Sequence, residues 1–290
     1  MILILAALLA AAPLEPDAVI AAAPPAAWRA VAPDDLIVIE TAAGTMAMEL
    51  APGFAPAHVA AVRALVAAGR FDGGSITRVQ DNYVVQWAAK PAAGASGIGR
   101  PPDQRPRRMR PQPLPPEYER PAAGLAWTPL GSPDAYAEAG FADGWPAARD
   151  RQTGTAWLAH CYGMVGAGRD MPPDTGDGSE LYAVIGHGPR HLDRNITLVG
   201  RIIAGLEPHA ALKRGTEALG FYKTPAEQTP IIRARLASAV QDAPRYEVMA
   251  TTSASFADYK RARANRTGFF VRPAGAVDLC NVRVPVRAVK

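Results

Sequence analysis

The spacing of apolar and polar positions alternates between the periods of strands and of helices. Residues Leu36–Thr41 form a run rich in β-branched side chains, and residues 45–50 alternate apolar with polar ones. These two segments predict the strands of a hairpin, with its turn at residues 42–44. Apolar residues then recur at helical spacing over residues 57–68, after Pro56, which is well placed to begin a helix.

Six further segments carry strand patterns: residues 75–79, 83–87, 155–160, 180–185, 196–203 and 229–236. Together with the first hairpin they make eight short strands, and residues 208–214 suggest a second, short helix. This set predicts a mainly β protein built on a closed antiparallel barrel capped by two helices. The pattern alone leaves a β-sandwich open.

Residues 88–153 interrupt this pattern with many prolines and with a basic cluster at residues 105–110. Because a structureless loop of this length is uncommon in a compact domain, we expect an insertion with short elements of its own. These elements are expected near residues 125–127 and 136–141. The Gly-, Asp- and Pro-rich residues 163–178 are interpreted as a second loop.

The chain is therefore expected to comprise three parts: a leader at 1–23, a domain at 34–240 containing the insertion, and a C-terminal extension at 241–290. Residues 256–264 of the extension have a helical pattern. Residues 282–286 suggest an edge strand, since an edge tolerates the proline there.

The first twelve residues form an apolar run followed by small residues. The run is shorter than the roughly 20 residues that span a bilayer, and it suits the apolar region of a secretory signal. No Lys or Arg precedes it, and the cleavage site stays open. We expect export to the periplasm or the medium, with residues 13–33 as a mature leader or linker; a retained N-terminal helix is the alternative. No later stretch suggests an integral membrane span.

Composition and charge narrow the possible partners. Apolar residues make up 49% and charged residues 20% of the chain, which is ordinary for a soluble globular protein. The net charge of +4 is spread along the sequence, so we expect no nucleic-acid partner and a monomer. The two cysteines, Cys161 and Cys280, could pair in an oxidising compartment or remain separate buried thiols.

The polar residues do not form a recognisable metal site. Four acidic residues lie in or beside the Gly-rich loop, at Asp170, Asp174, Asp177 and Glu180, but their spacing does not fit a calcium-binding loop. His187 and His191 are four residues apart, and the intervening Gly-Pro argues against the helix that would align them. We therefore expect neither a metal nor a cofactor.

Five stretches of the chain carry local motifs in a fixed order: Ile39-Glu40-Thr41 through Pro56 to Leu65, Phe71-Asp72-Gly73, Arg78-Val79 with Tyr83-Val84-Val85-Gln86, Ser179-Glu180-Leu181-Tyr182-Ala183-Val184, and His191-Leu192-Asp193 with Leu198-Val199-Gly200-Arg201-Ile202. Their wording and order resemble the cyclophilin family of peptidyl-prolyl isomerases. They span residues 36 to 207, and the strand at 231–236 completes them. The resemblance implies a cyclophilin-like barrel.

The resemblance also implies site residues. Arg78 matches an arginine that lies beside the peptide bond preceding proline. Gln86 matches a glutamine that holds the substrate backbone, and the pair Ala159-His160 matches one whose main chain grips the residue before proline. The implied pocket walls are Tyr83, Val84, Tyr182 and Leu192. The chain departs from the family pattern at Thr77, Trp87, Glu180, His191 and Ile196.

Such a site needs no nucleophile and no metal. Partial double-bond character makes rotation about a peptide bond cost about 18–20 kcal/mol, and a catalyst must bind the twisted amide better than either planar form. A guanidinium can donate to the proline nitrogen once twisting restores its lone pair. The expected activity is isomerisation of X-Pro bonds in proline-containing peptides and unfolded segments of exported proteins. The alternative is a catalytically weak binding module whose insertion or extension recognises a protein partner.

Overall fold

A computed structural model describes residues 15–90 and 114–289 of the 290-residue chain. The apolar run of the expected signal peptide and the basic cluster at 105–110 lie outside the described residues. The helices of the described part are α1 (Pro16–Ala22), α2 (Pro56–Ala67), α3 (Glu207–Ala210) and α4 (Ala254–Ala264).

Eight antiparallel strands close into a barrel, which confirms the predicted architecture. Their bounds are β2 (Leu36–Thr41), β3 (Gly44–Leu50), β4 (Ser75–Val79), β5 (Val84–Ala88), β11 (Met164–Ala167), β12 (Glu180–Val184), β13 (Leu198–Ala204) and β14 (Thr229–Leu236). Around the barrel their order is β11, β12, β5, β4, β14, β2, β3 and β13, and β13 pairs again with β11.

The barrel interior is filled by the inward-facing side chains of these strands. Ile76, Trp87 and Leu181 are almost completely buried there. The apolar stripe of α2, including Val59 and Val62, packs into the same core, so this helix covers the barrel as its spacing predicts. The second predicted helix is shorter than expected, because α3 ends at Ala210.

One predicted barrel strand belongs to another sheet. The segment assigned to 155–160 forms β10 (Thr155–Leu158), which pairs outside the barrel. The eighth barrel strand is instead β11, within the residues interpreted as a loop. That strand has only four residues and contains Gly166, so neither its length nor its composition carries a strand pattern.

The described part of the insertion joins β10 in a five-stranded sheet of order β6, β10, β9, β8, β7. The added strands are β6 (Arg120–Pro121), β7 (Trp127–Pro129), β8 (Glu138–Ala142) and β9 (Trp145–Asp150). Two of them, β7 and β8, overlap the short elements expected near residues 125–127 and 136–141. The described part of the insertion therefore forms, with β10, an accessory sheet beside the barrel.

The C-terminal extension packs with residues 16–30. The strands β1 (Trp28–Ala30), β15 (Arg245–Met249) and β16 (Val286–Val289) form a sheet of order β1, β15, β16, and α1 contacts α4. The helix expected at 256–264 is confirmed as α4, and the edge strand lies a few residues later than predicted. The interpretation of 13–33 as a leader or linker is wrong for the described residues, since Val19 and Trp28 are buried in the fold.

A disulfide between Cys161 and Cys280 ties the extension to the residues between β10 and β11. The sequence left this pairing open. Among residues 15–90 and 114–289, every helix is too short or too polar to cross a bilayer.

Candidate functional site

Three neighbouring strands carry polar and aromatic side chains on the outer face of the barrel. Gln86 of β5 lies between Arg78 of β4 and Tyr182 of β12 in the strand register. Side chains alternate between the faces of a strand, and Val85 and Trp87 point into the core, so Gln86 points outward.

A β-bulge turns Arg78 to this outer face. The register of β4 against β5 shifts between Ile76 and Arg78, which leaves Thr77 as an extra residue. Ile76 and Arg78 would otherwise share the inward face, since they are two positions apart. The bulge keeps Ile76 in the core and places Arg78 opposite Gln86.

The Arg78 guanidinium is fixed by hydrogen bonds and by aromatic rings. Its Nε donates to the carbonyl oxygen of Leu219 over 2.6 Å, and its Nη2 donates to Gln80. The guanidinium carbon also lies 5.5 Å from the ring centre of Tyr83 and 5.3 Å from that of Phe221. These contacts hold the cation in one orientation, and burial raises the pKa of the Tyr83 hydroxyl while Arg78 opposes that shift.

The Gln86 amide connects Arg78 to a buried carboxylate. Nη1 of Arg78 donates to Oε1 of Gln86 over 3.1 Å, and Nε2 of Gln86 donates to Oε2 of Glu180 over 2.8 Å. Gln86 and Glu180 are both buried. The carboxylate thus fixes which end of the amide faces the guanidinium, a role that the sequence resemblance did not assign to Glu180.

These side chains surround a cavity of about 100 Å³. On the same measure, a single water needs only about 10–15 Å³, so the cavity has room for a small ring. The six predicted site residues that line it are Arg78, Tyr83, Val84, Gln86, Tyr182 and Leu192. The other lining residues are Gly168, Arg169, Glu180, Ile196, Leu219 and Phe221.

The remaining predicted pair, Ala159 and His160, does not line the cavity. The Ala159 N–H donates to the carbonyl of Pro146, and the His160 N–H donates to Oδ1 of Asp193. Their main chain is therefore occupied within the fold. The assignment fails because it depended on β10 being a barrel strand. Gly168, directly after β11, is the backbone that borders the cavity.

His160 nevertheless supports the cavity from behind. Its Nε2 lies 3.0 Å from the hydroxyl of Tyr182, and its Nδ1 lies 2.9 Å from Oδ1 of Asp193. Burial lowers the pKa of His160, against the opposing effect of Asp193. In the neutral ring Nδ1–H donates to the carboxylate and Nε2 accepts from the hydroxyl of Tyr182, whose own pKa burial raises.

This hydrogen-bond chain continues into the accessory sheet region. Arg190 Nε donates to Oδ2 of Asp193 over 2.5 Å, and its Nη1 donates to Oδ2 of Asp134 over 2.9 Å. All three side chains are at least nine-tenths buried. The wall of the cavity at Tyr182 is thus joined to the insertion by a continuous polar network.

Sequence reasoning missed Leu219 and Phe221, which come from the loop between α3 and β14. Phe221 forms an isolated bridge with Arg78, and Leu219 adopts a positive φ of 59°. A Cβ at neighbouring Gly220 would lie 2.8 Å from Gln80 and from the carbonyl oxygen of Val79, at the end of β4, so the loop can approach this strand only with a glycine there. The sequence signal was the Gly-Phe pair after the short helix, which marks a tight turn next to an aromatic residue.

The arrangement suits the binding of a small ring. A fixed cation stands at the edge of an apolar and aromatic cup that can hold a small ring. Within the described ranges, no three His, Cys, Asp or Glu side chains converge as metal ligands would.

Comparison with known proteins places this geometry in a family. The family model described as cyclophilin type peptidyl-prolyl cis-trans isomerase/CLD matches residues 36–236. A search of curated proteins finds no match. Among solved structures, the cyclophilin AquaCyp293 from Hirschia baltica superposes with a TM-score of 0.70 at 25% identity, covering 94% of this chain and 96% of its own.

A cyclophilin type peptidyl-prolyl cis-trans isomerase from Cryptosporidium parvum, solved in the presence of the dipeptide Ala-Pro, gives a TM-score of 0.42 at 12% identity. The superposition covers 69% of this chain and 98% of the Cryptosporidium parvum chain. The family match includes every barrel strand and all six predicted residues around the cavity. The chain belongs to the cyclophilin-type peptidyl-prolyl cis-trans isomerase family.

Proposed function

We propose that the chain is an active peptidyl-prolyl isomerase that uses the Arg78 cavity. The observation that carries the proposal is the fixed position of the Arg78 guanidinium at an open cavity lined by Tyr83, Tyr182 and Phe221. Proline-containing peptides are the ligands that cyclophilins bind, and an X-Pro bond is the substrate this geometry fits.

The chemistry follows from the amide. The planar X-Pro isomers differ by only about 0.5–1 kcal/mol, yet they exchange over tens to hundreds of seconds. Twisting the bond removes its resonance and leaves a lone pair on the proline nitrogen. The Arg78 guanidinium can donate to that nitrogen, and its fork of donors can hold a nearby carbonyl. Each 1.36 kcal/mol of preference for the twisted form gives about a tenfold rate increase.

The surrounding network keeps the cation ready. Because Gln86 and Leu219 hold the guanidinium before substrate arrives, little reorganisation accompanies the reaction. The apolar walls hold the pyrrolidine ring still while the preceding carbonyl swings. The test is the rate of cis–trans exchange of a proline tetrapeptide with the purified chain. We expect clear acceleration over the uncatalysed rate, and exchange at the uncatalysed rate would refute the proposal.

A binding module is the second candidate. Arg78 already donates to Gln80, Gln86 and the Leu219 carbonyl, so at least three of its five N–H groups are engaged within the fold, as suits a cation with a structural role. Under this alternative the same peptide binds, as measured by fluorescence anisotropy, but its exchange is not accelerated. The exchange assay therefore separates the two functions.

We further propose that the protein assists folding outside the cytoplasm. Two features support export: the disulfide between Cys161 and Cys280, which suits an oxidising compartment, and the apolar run at the start of the sequence. Cell fractionation, with the redox state of the two cysteines trapped by alkylation, tests this. Protein found in the cytoplasm with both thiols reduced would contradict it.

A further inference from the structure

A second cavity lies between the accessory sheet and the barrel. Its volume is about 620 Å³, roughly six times that of the Arg78 cavity, which we call the proline cavity after its proposed ligand. One side is formed by the insertion, including Tyr136 and Arg151, together with Trp157 of β10. The other side is the segment 190–194 that precedes β13. We call this cavity the insertion cleft.

The insertion cleft and the proline cavity share one wall. Arg190, His191, Asp193 and Arg194 face the cleft, while Leu192 of the same segment lines the proline cavity. The Tyr182–His160–Asp193 hydrogen-bond chain also joins the two, since Tyr182 lines one cavity and Asp193 the other. A peptide whose proline occupies the small cavity can therefore extend toward the cleft, because an extended chain advances about 3.3 Å per residue.

The most exposed ion-paired side chains of the cleft are cationic, which favours an acidic occupant. Among the ion-paired side chains that line the cleft, those of Arg151 and Arg194 are the most exposed to solvent, at 73% and 43%. Glu138 holds both Arg149 and Arg151, and these two guanidiniums lower its pKa to about 2.

The carboxylates around the cleft are less exposed than these two arginines or accept hydrogen bonds from the backbone. They are Glu138 and Glu119, each about one-third exposed, the nearly buried Asp134 and Asp193, and Asp150, which accepts from the N–H of Gln152. An incoming side chain consequently meets the guanidiniums of Arg151 and Arg194 first.

One exposed aromatic ring adds a surface for the peptide itself. Trp157 lies under the Arg194 guanidinium, 4.8 Å from ring centre to guanidinium carbon, and Tyr136 lies 5.0 Å from that of Arg190. Tyr136 is 59% exposed. The exposed ring of Tyr136 can pack against an extended backbone while the guanidiniums pair with a carboxylate, whereas the buried Trp157 supports Arg194 from below.

We propose that the insertion cleft is an extended substrate subsite, which selects proline-containing segments that carry an acidic side chain a few residues from the proline. The inference rests on the proposed isomerase function of the Arg78 cavity. It gives the accessory sheet a role in choosing the substrate rather than in the rotation itself.

The test compares matched peptides with the full chain. Each peptide contains one proline and carries Glu, Gln or Lys at each of three to five residues from it, on either side. We expect one Glu position to raise kcat/KM about three- to tenfold over Gln, as one or two exposed ion pairs allow, with Lys below Gln. The preference should shrink at 1 M salt, where the screening length is about 3 Å.

The matched variants assign the preference to the cleft. R151Q/R194Q should remove the Glu preference and leave turnover of a short Ala-Ala-Pro-Phe peptide unchanged. R233Q/R287Q, which removes two other ion-paired and exposed strand arginines, should keep the preference. Equal rates for Glu, Gln and Lys at every position, or a preference that survives R151Q/R194Q, would overturn the proposal.

Failure of the proposed isomerase function gives a different result. In that case no peptide, short or long, exchanges faster than in buffer. Peptide affinity measured by anisotropy then tests the cleft alone: a Glu preference abolished in R151Q/R194Q supports it, and equal affinities contradict it.

Discussion

The hydroxyl of Tyr182 lies 3.0 Å from Nε2 of His160, behind the wall of the proline cavity. Both side chains are buried, and the ring of His160 is held on its other side by Asp193. A side chain that lines the cavity is thus positioned by a residue that does not line it. His160 is a positioning residue, although the sequence suggested that its main chain binds substrate directly.

Removing the Tyr182 hydroxyl should affect stability more than turnover. In Tyr182→Phe the aromatic wall remains, while Nε2 of His160 loses its buried donor. We expect the free energy of unfolding to fall by about 1–3 kcal/mol, with tetrapeptide turnover near wild type. Denaturant unfolding and the exchange assay measure the two effects. Tyr136→Phe, at an exposed ring, is the matched control, and equal stabilities of the two variants would contradict the proposed hydrogen bond.

As the pH is lowered, the free energy of unfolding should begin to decrease before the carboxylates titrate. Burial lowers the pKa of both His160 and His209, so near pH 6.5 and below the unfolded chain takes up protons that the folded chain does not. The free energy of unfolding therefore decreases between pH 6.5 and 5, by up to about 1.4 kcal/mol per pH unit for each histidine. His160→Gln should make the slope shallower. An unchanged slope in that variant would show that His160 is protonated in the folded protein.

The close approach of Tyr182 to β11 makes Gly166 indispensable. A Cβ at Gly166 would lie 2.3 Å from the phenol of Tyr182, whereas one at Gly53 would have its nearest neighbour at 3.8 Å. Gly166→Ala should destabilise the protein by about 1–3 kcal/mol and raise KM, because the ring must move out of the wall. Gly53→Ala serves as the control and should behave like wild type. Similar effects of the two substitutions would refute this packing.

The Cys161–Cys280 disulfide should contribute much of the stability. Its cysteines are 119 residues apart, and cross-linking a loop of about 100 residues is expected to be worth up to roughly 4.7 kcal/mol. The double variant Cys161→Ala/Cys280→Ala should lower the free energy of unfolding by about 2–5 kcal/mol. Wild-type protein unfolded in reductant should show a comparable loss. A variant as stable as the oxidised protein would contradict the assignment.

The spacing of apolar residues predicted those strands and helices that bury one regular face against the core. The β2–β3 hairpin and α2 each bury one regular face, so alternation or helical spacing marks them clearly. The short strand β11 was missed because its glycine, Gly166, is required by packing against Tyr182, a contact that no local pattern along the chain shows. Because β11 was missed, the main-chain contact with substrate was assigned to Ala159 and His160 rather than to the residues at the end of β11.

The site itself was predictable only where one segment supplies it. Arg78, Tyr83 and Gln86 lie within nine residues, and their order matched the family. Leu219 and Phe221 come from a loop about 140 residues later, and no local period connects them to β4. The bulge at Thr77 was equally hidden, since it changes which face Arg78 occupies without changing the strand's composition.

Replacing Arg78 tests the central claim most directly. In Arg78→Ala the cavity keeps its walls but loses the donor to the twisted amide, and Arg78→Lys keeps the charge without the planar fork. Exchange of a proline tetrapeptide, followed by a coupled or NMR assay, reports the effect. Arg233→Ala, which removes an exposed strand arginine paired with Glu40, is the control.

We expect kcat/KM for Arg78→Ala to fall about a hundredfold, as for the loss of one preorganised donor, with Arg78→Lys giving only partial activity and Arg233→Ala full activity. The folded state of each variant is checked by its unfolding transition. Tetrapeptide exchange by folded Arg78→Ala at the wild-type rate would contradict the account.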